Sequence, residues 1–125
     1  MSAPAQAAWP APEQFAPPPS TSDRERWAED DRAARPARLE RIRSRFSDAG
    51  VDALFGLRSE TSRYLTGFAL GDGEDRVAGN SGQLLVSGEE VVLFADPRYD
   101  IQAHREAPDA RVTTVYGDLP ARWPD

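Results

Sequence analysis

The chain has 125 residues, no cysteine and a formal net charge of −6, and its fifteen basic residues are all arginine. A chain of this length forms one modest domain that buries about two thirds of the surface its unfolded state exposes. The lack of cysteine excludes disulfide frameworks and thiolate metal sites. The acidic balance argues against a general nucleic-acid binder, because such domains gain affinity by neutralising phosphates.

The first 35 residues contain most of the prolines and many alanines, and their large apolar residues are Trp9, Phe15 and Trp27. So little apolar surface does not offset roughly 1 to 2 kcal/mol of backbone entropy per ordered residue. We therefore predict a disordered or partly helical arm over 1–35, followed by one domain over 36–125.

Neither a targeting signal nor a membrane segment is indicated. No basic residue precedes Arg24 and no continuous apolar core is present there, which argues against a signal peptide. No run approaches the length of a membrane span, so the cytoplasm is the expected compartment. Alternating acids and arginines over 22–35 favour a helix held by side-chain pairs, which Pro36 is expected to end or restart.

After Pro36, an apolar stripe at intervals of three and four predicts a helix over 39–49, with Gly50 as its C-cap. The stripe consists of Leu39, Ile42, Phe46 and Ala49. Arginines at helical spacing share this segment, but acids interrupt them, so we interpret this face as solvated rather than as a phosphate site. These arginines are Arg38, Arg41 and Arg45, and the acids are Glu40 and Asp48. The apolar run over 51–57 follows the glycine stop and predicts a buried strand.

Two apolar runs, 84–86 and 91–94, flank the polar turn 87–90, whose glycine suits a tight turn. This pattern predicts a β-hairpin. Asp96 follows at an N-cap position with Pro97 at the first helical position, so the chain is predicted to turn from strand to helix here.

The other elements are shorter. Ser59 is expected to cap a short helix through Tyr64 and Leu65, and Gly67 is expected to end it, because freedom at positive φ suits a helix end. Further patterns predict a helix over 99–107, a β-branched strand over 111–116 and one more helix start over 119–123. The fold class is therefore α/β, a mixed sheet of about four strands with flanking helices.

Two short motifs, Tyr64-Leu65-Thr66-Gly67-Phe68 and Asp96-Pro97-Arg98-Tyr99, occur in this order on either side of the hairpin. They resemble the amino-terminal domain that Xaa-Pro aminopeptidases, prolidases and creatinase share, over about residues 38–125. The resemblance implies a ribonuclease H-like domain of the creatinase/aminopeptidase P type. The chain is expected to stop partway through that domain.

In the resembling enzymes, a pita-bread catalytic half binds two divalent metal ions through aspartates, glutamates and a histidine, and it would follow this region. We therefore expect no catalytic residue, metal ligand or cofactor in this chain. The only histidine, His104, lies on a predicted helix without clustered carboxylates, so we interpret it as a surface residue. No serine lies in a nucleophile elbow, and no glycine motif matches a phosphate loop.

The glycine- and acid-rich segment 71–82 is predicted to be a mobile surface loop. Its acids Asp72, Glu74 and Asp75 do not predict an EF-hand, because the twelfth position would be Gln83 rather than glutamate.

Three residues are substrate-cleft candidates. A guanidinium at the strand-to-helix corner can bind a carboxylate through two hydrogen bonds, which singles out Arg98. The alternative is that Arg98 pairs with Asp96 or Asp100 and only holds the corner. For Phe68, the resemblance implies a position bordering the cleft, and the alternative is core packing. Tyr99 divides in the same way between cleft and core.

Two functions follow from different classes. The first is a non-catalytic amino-terminal domain of a Xaa-Pro aminopeptidase-like metallopeptidase, or a fragment of it, that roofs the active site and supports a homo-oligomer. Its partner would be the catalytic domain, in cis or in a neighbouring subunit, with no role for nucleic acid or membrane. The second is a free-standing binding or dimerisation module that has lost the peptidase. A creatinase-like amidinohydrolase is a variant of the first.

Overall fold

The computed structural model describes residues 16–71 and 79–123. Its centre is a mixed four-stranded sheet in the order β1-β2-β3-β4. The strands are β1 Ala53–Gly56, β2 Leu84–Ser87, β3 Val91–Ala95 and β4 Arg111–Thr114. β2 pairs antiparallel with both β1 and β3, whereas β4 runs parallel to β3. The predicted α/β class with a mixed four-stranded sheet is confirmed.

The helices are α1 Thr21–Arg43, α2 Phe46–Ala49, α3 Ser59–Thr66 and α4 Asp100–Glu106. The expected cap at Ser59 is wrong, because Arg58 occupies the N-cap position of α3 and Ser59 is its first helical residue. Two 3₁₀ turns, Pro97–Tyr99 and Leu119–Arg122, are also present in the described part of the chain. Apolar residues of these helices, among them Leu65 of α3 and Ala103 of α4, share one core with one side of the sheet. We call this side the inner face; it presents Leu84, Val86, Val91, Leu93 and Ala95.

The opposite side, the outer face, presents Val92 and Phe94 of β3, which pack with Val115 just after β4. Partly buried Phe55, Leu85 and Leu119 pack around them. The Trp123 ring lies over this cluster, with its centroid 5.1 Å from that of Phe55 and 6.1 Å from that of Phe94. All five residues of β3 are buried, because both faces carry apolar cover at the centre of the sheet.

The hairpin prediction is confirmed. Leu84 lies opposite Leu93, and Ser87 closes the turn by donating its backbone N–H to the carbonyl of Glu90 at 2.9 Å. The Ser87 hydroxyl also accepts the N–H of Glu90 at 3.1 Å. The polar turn therefore satisfies its own backbone groups, as a tight connection between two strands requires.

The strand predicted over 51–57 is present as β1, but its predicted burial is wrong. Among the residues that the structure describes, β1 pairs with β2 alone and lies at an edge of the sheet, and Gly56 is its one buried residue. Val51 and Leu57, which flank it, are 45% and 66% exposed. An apolar run of this length does not reveal whether its strand lies at the centre or at the edge.

The expected break at Pro36 is also wrong, because α1 continues through this residue to Arg43. A proline inside a helix removes one backbone hydrogen bond and typically costs about 3 kcal/mol. The neighbouring Arg35 and Arg38 bind carbonyl oxygens of α4 and α3, and these contacts hold this part of α1 in place. The predicted helix over 39–49 is in turn interrupted after Arg43, and its last turn forms the separate helix α2, which ends at Gly50 with φ of 67° as predicted.

The interpretation of Arg38 as a solvated residue is corrected by its contacts. Only 17% of its side chain is exposed, and Nη1 donates to Asp31 Oδ1 at 2.8 Å and to the carbonyl oxygen of Tyr64 at 2.9 Å. Its Cζ lies 4.4 Å from the Tyr64 ring centroid, and Arg41 reaches the Tyr64 hydroxyl at 3.1 Å. Cationic groups at the C-terminus of a helix donate hydrogen bonds to its free carbonyl oxygens and interact favourably with its dipole. This contact therefore fastens α1 to α3.

Two predicted regions fall partly outside the described residues. The disordered arm includes 1–15, and the mobile loop includes 72–78 with the acids Asp72, Glu74 and Asp75. From Thr21 onwards, the segment predicted as part of the arm is helical.

Candidate functional site

The strand-to-helix corner has the predicted geometry. Asp96 leaves β3 in an extended conformation, with φ of −64° and ψ of 150°, and Oδ1 accepts the backbone N–H of Arg98 at 3.0 Å. Pro97 occupies the start of the 3₁₀ turn, where its missing N–H costs nothing. The cap therefore opens a 3₁₀ turn, and α4 begins one turn later, at Asp100.

A serine outside the predicted site fixes this corner to the start of the hairpin. Ser81 is 6% exposed, and its hydroxyl accepts the backbone N–H of Asp96 at 2.7 Å. The neighbouring Gly82 donates its own N–H to the carbonyl of Phe94 at 2.9 Å. Sequence reasoning missed Ser81, since a serine beside a glycine is common in loops and carries no distinguishing signal.

Arg98 lies on the exposed side of the corner. Its Nε donates to Asp96 Oδ1 at 2.9 Å, and 58% of its side chain is accessible to solvent. The hydrogen bond from the Arg98 side chain holds the pKa of Asp96 below its ordinary value, with a smaller contribution from the backbone hydrogen bond. The pairing with Asp96 that the sequence allowed is thus present, and a ligand role for Arg98 stays a prediction.

The structure brings the three candidate residues into one row. The Phe68 and Tyr99 rings meet edge to face, with centroids 6.4 Å apart at 89°, and Arg98 Cζ lies 5.7 Å from the Tyr99 centroid. Exposure rises along the row, from Phe68 at 1% through half-buried Tyr99 to exposed Arg98. Phe68 therefore packs in the core, Tyr99 links the core to the surface, and Arg98 presents a charge to solvent.

The segment that carries Phe68 is fastened to α4 by two polar side chains. Gln102 Nε2 donates to the carbonyl of Ala69 at 2.8 Å, and Glu106 Oε1 accepts the N–H of Ala69 at 3.2 Å. The two side chains also bond to each other, with Nε2 to Oε1 at 3.1 Å. Both backbone groups of Ala69 are thereby satisfied. The spacing of four residues on one predicted helix is the signal that points to such a pair.

The described residues do not fit a two-metal centre. No group of three or more histidine, aspartate or glutamate side chains within 16–71 and 79–123 is arranged to hold a metal ion. His104 is exposed on α4, and its Nδ1 lies 2.8 Å from the carbonyl oxygen of Asp100.

The described part of the chain has no helix with the length and apolar character needed to cross a membrane.

Comparison with known proteins agrees with this architecture. Residues 38–125 match the model of the Creatinase/Prolidase N-terminal domain. A comparison with curated proteins returns no match.

Several solved structures are similar to this chain. The N-terminal domain of the cytoplasmic peptidase PepQ from Mycobacterium tuberculosis is 30% identical, with a TM-score of 0.53 over 64% of this chain and 56% of that chain. The creatinase/prolidase-like domain from Corynebacterium diphtheriae is 21% identical, with a TM-score of 0.55 over 69% of this chain and 63% of that chain. An Xaa-Pro aminopeptidase structure from Streptococcus pyogenes is 23% identical, with a TM-score of 0.56 over 70% of this chain and 60% of that chain. The chain thus spans about three fifths of these structures.

Proposed function

Because this chain belongs to the creatinase/prolidase amino-terminal domain family, we propose that it is the non-catalytic amino-terminal domain of a cytoplasmic Xaa-Pro aminopeptidase-like metallopeptidase. In this role it roofs the active site of a catalytic pita-bread domain, in cis or in a neighbouring subunit, limits substrate length and helps to build a homo-oligomer. Support comes from the family match and from the peptidases named among the similar structures.

The exposed guanidinium at the capped corner is the observation that locates the site in this proposal. Arg98 is held at its base by Asp96, which is itself fixed by Ser81. A charge positioned this way binds a carboxylate with little loss of conformational freedom, since part of the ordering has already occurred on folding. The side chain of Tyr99 adds an apolar surface beside it.

The two divalent metal ions of such an enzyme belong, in this proposal, to the catalytic domain. They would supply an activated water and polarise the scissile carbonyl. The residues of this chain bind and orient: Arg98 attracts a substrate carboxylate, and Tyr99 excludes water beside it. The chain alone, loaded with divalent metal, is therefore expected to release no residue from Xaa-Pro peptides.

The test replaces Arg98 by alanine in a polypeptide that also carries the catalytic half. We expect kcat/KM on Xaa-Pro peptides to fall by about tenfold, the scale of a charge-assisted hydrogen bond, while Tm stays close to that of the parent. Arg58→Ala, which removes an exposed arginine elsewhere, is the matched control. Parallel losses of Tm and activity, without a change in substrate preference where the variant is folded, contradict the proposal.

A second function, a free-standing dimerisation module, is favoured by the sheet edges. β4 has one partner strand among the described residues, and its other edge offers unpaired backbone groups to another chain. The DNA beyond the codon for Asp125 separates the two functions. An open frame encoding the metal ligands supports the peptidase domain, and a stop codon with no such segment nearby supports the module. Activity of the encoded enzyme on creatine would assign the creatinase-like variant.

A further inference from the structure

A notch between α1 and α3 combines several arginines with an aromatic ring. The volume of this notch is about 420 Å³. Its lining includes Arg24, Trp27 and Arg35 from α1, together with Arg63 and Gly67 at the end of α3. We call it the arginine notch. The α1 residues of this lining precede the family match, which begins at residue 38, so the notch depends on a part of the chain outside the matched domain.

Arg35 forms the fixed floor of the notch. Its side chain is 14% exposed, and Nη2 donates to Asp31 Oδ2 at 3.0 Å while Nη1 donates to the carbonyl of Glu106 at 3.4 Å. The guanidinium lies against Gly67, at a place where any Cβ would collide with it. The absence of a side chain at this glycine is therefore what admits Arg35 to the floor.

The charge of the notch is net positive. Asp31 is the one acidic residue among the described residues that line it, and this carboxylate already binds two guanidinium groups, those of Arg35 and Arg38. Arg24 and Arg63 are both exposed and make no side-chain hydrogen bond or ion pair within the described part of the chain. On a chain of net charge −6, such a concentration of arginines attracts anions locally.

The aromatic wall adds a second element of recognition. Trp27 is 52% exposed and lines the notch beside these arginines. Flat groups pack on indole rings, and two guanidinium groups bind a carboxylate or phosphate through charge-assisted hydrogen bonds. We propose that the arginine notch is a binding site for a small anion attached to a flat apolar group. This site is independent of the corner at Arg98 and goes beyond the proposed peptidase role.

Three probes test the site on the full 125-residue chain by titration calorimetry. Phenyl phosphate and N-acetylphenylalanine carry the anion on an aromatic molecule, and N-acetylphenylalaninamide is the neutral analogue. We expect saturable binding of at least one anionic probe, with a chemical-shift change at the Trp27 indole, and at least tenfold weaker binding of the amide. The relative affinities of the two anionic probes show whether the natural ligand is a phosphate or a carboxylate.

Paired variants isolate the two free arginines. Arg24→Gln combined with Arg63→Gln is expected to weaken binding at least tenfold at unchanged Tm, because neither side chain holds the fold together. Arg45→Gln combined with Arg58→Gln removes the same charge elsewhere on the surface and is expected to leave binding unchanged. Equal weakening in both double variants overturns the proposal, since it indicates attraction to overall charge. The absence of saturable binding by either anionic probe overturns it as well.

Discussion

The two faces of the sheet differ in what covers them. The inner face packs against side chains of all four helices, and Leu84 and Leu93 in its centre are fully buried. On the outer face, the described cover is one 3₁₀ turn and the ring of Trp123, which is itself 45% exposed. Successive side chains of β2 and β3 alternate between the two faces, so the same two strands serve two purposes. The inner face supplies most of the burial that stabilises the fold, and the outer face leaves apolar surface for a further contact.

Adjacent leucines on β2 give the sharpest test of this difference. Leu84→Ala removes a side chain with no exposed surface from the inner core and is expected to cost about 2 to 5 kcal/mol in unfolding free energy. Leu85→Ala makes the same change on the half-covered outer face and is expected to cost roughly 1 to 2 kcal/mol. Urea denaturation of both variants measures the gap. Equal costs would show that the outer face is as well packed as the inner one.

The contact of α1 with α3 completes the cover of the inner face, and Gly67 tests it. Gly67→Ala introduces a Cβ at φ of 88° and displaces the flexible end of Arg35 from Asp31, so strain and the lost ion pair together are expected to cost about 2 kcal/mol. Gly50→Ala is the control, because its φ is 67° but nothing lies near the added Cβ, and we expect about 1 kcal/mol. The account fails here if thermal melts give the two variants the same loss.

The ion pairs of Asp31 give this contact a pH dependence. Partial burial raises the pKa of Asp31, but hydrogen bonds from Arg38 and Arg35 outweigh it and hold that pKa below its ordinary value of 3.8. A lowered carboxyl pKa stabilises the fold above the ordinary value, and this stability is lost as pH falls through the folded-state pKa. Because the side chain is 42% exposed, Asp31→Asn is expected to cost only about 0.5 to 1 kcal/mol at pH 7.

The measurement is the difference in unfolding free energy between the parent and Asp31→Asn across pH. It should shrink as pH falls below 3.8. Asp52→Asn, which removes an exposed carboxylate on the other side of the sheet, should have almost the same unfolding free energy as the parent at neutral and at acidic pH. A gap for Asp31→Asn that persists in acid would mean that its ion pairs do not stabilise the fold.

We expect the outer face to mediate self-association. A substitution at its exposed edge is expected to change this association with little effect on stability. Ala53 is exposed on β1 and lines a groove of about 350 Å³ beside Leu85 and Trp123. Ala53→Lys should weaken concentration-dependent association, because burying the new charge in a contact is costly. Ala33→Lys makes the same change on the exposed side of α1 and should have no effect. Sedimentation velocity across a dilution series measures both, and a parent chain that stays monomeric at every concentration contradicts this assignment.

The parts of the fold that the sequence predicts are those determined by neighbouring residues. The hairpin over Leu84–Ser87 and Val91–Ala95 follows from two apolar runs and a glycine turn, and the corner follows from the capping chemistry of Asp96 and Pro97. The end of α3 at Gly67 is equally local, because a positive φ at a helix end favours glycine. Each of these features is confirmed.

The parts that sequence reasoning missed depend on residues far apart in the chain. Arg38 bonds to the carbonyl of Tyr64, and Arg35 bonds to that of Glu106, 71 residues away. No local pattern reveals such contacts, so the continuation of α1 through Pro36 was not predicted. The edge position of β1 has the same origin, because strand order is a property of the whole sheet. The candidate site was partly predicted: Arg98 and Tyr99 lie at the corner, while Ser81 was found only in the structure.

The central claim, that this chain serves as one domain of a longer peptidase, is tested most directly by the mass of the native polypeptide. An antibody raised against residues 16–71 captures the protein from its source cells, and mass spectrometry then gives the intact mass and the peptides beyond Asp125. The account predicts a polypeptide considerably longer than 125 residues, with aspartates, glutamates and a histidine of a metal site in its additional part. A native polypeptide that ends at Asp125 and purifies without a peptidase partner would contradict it.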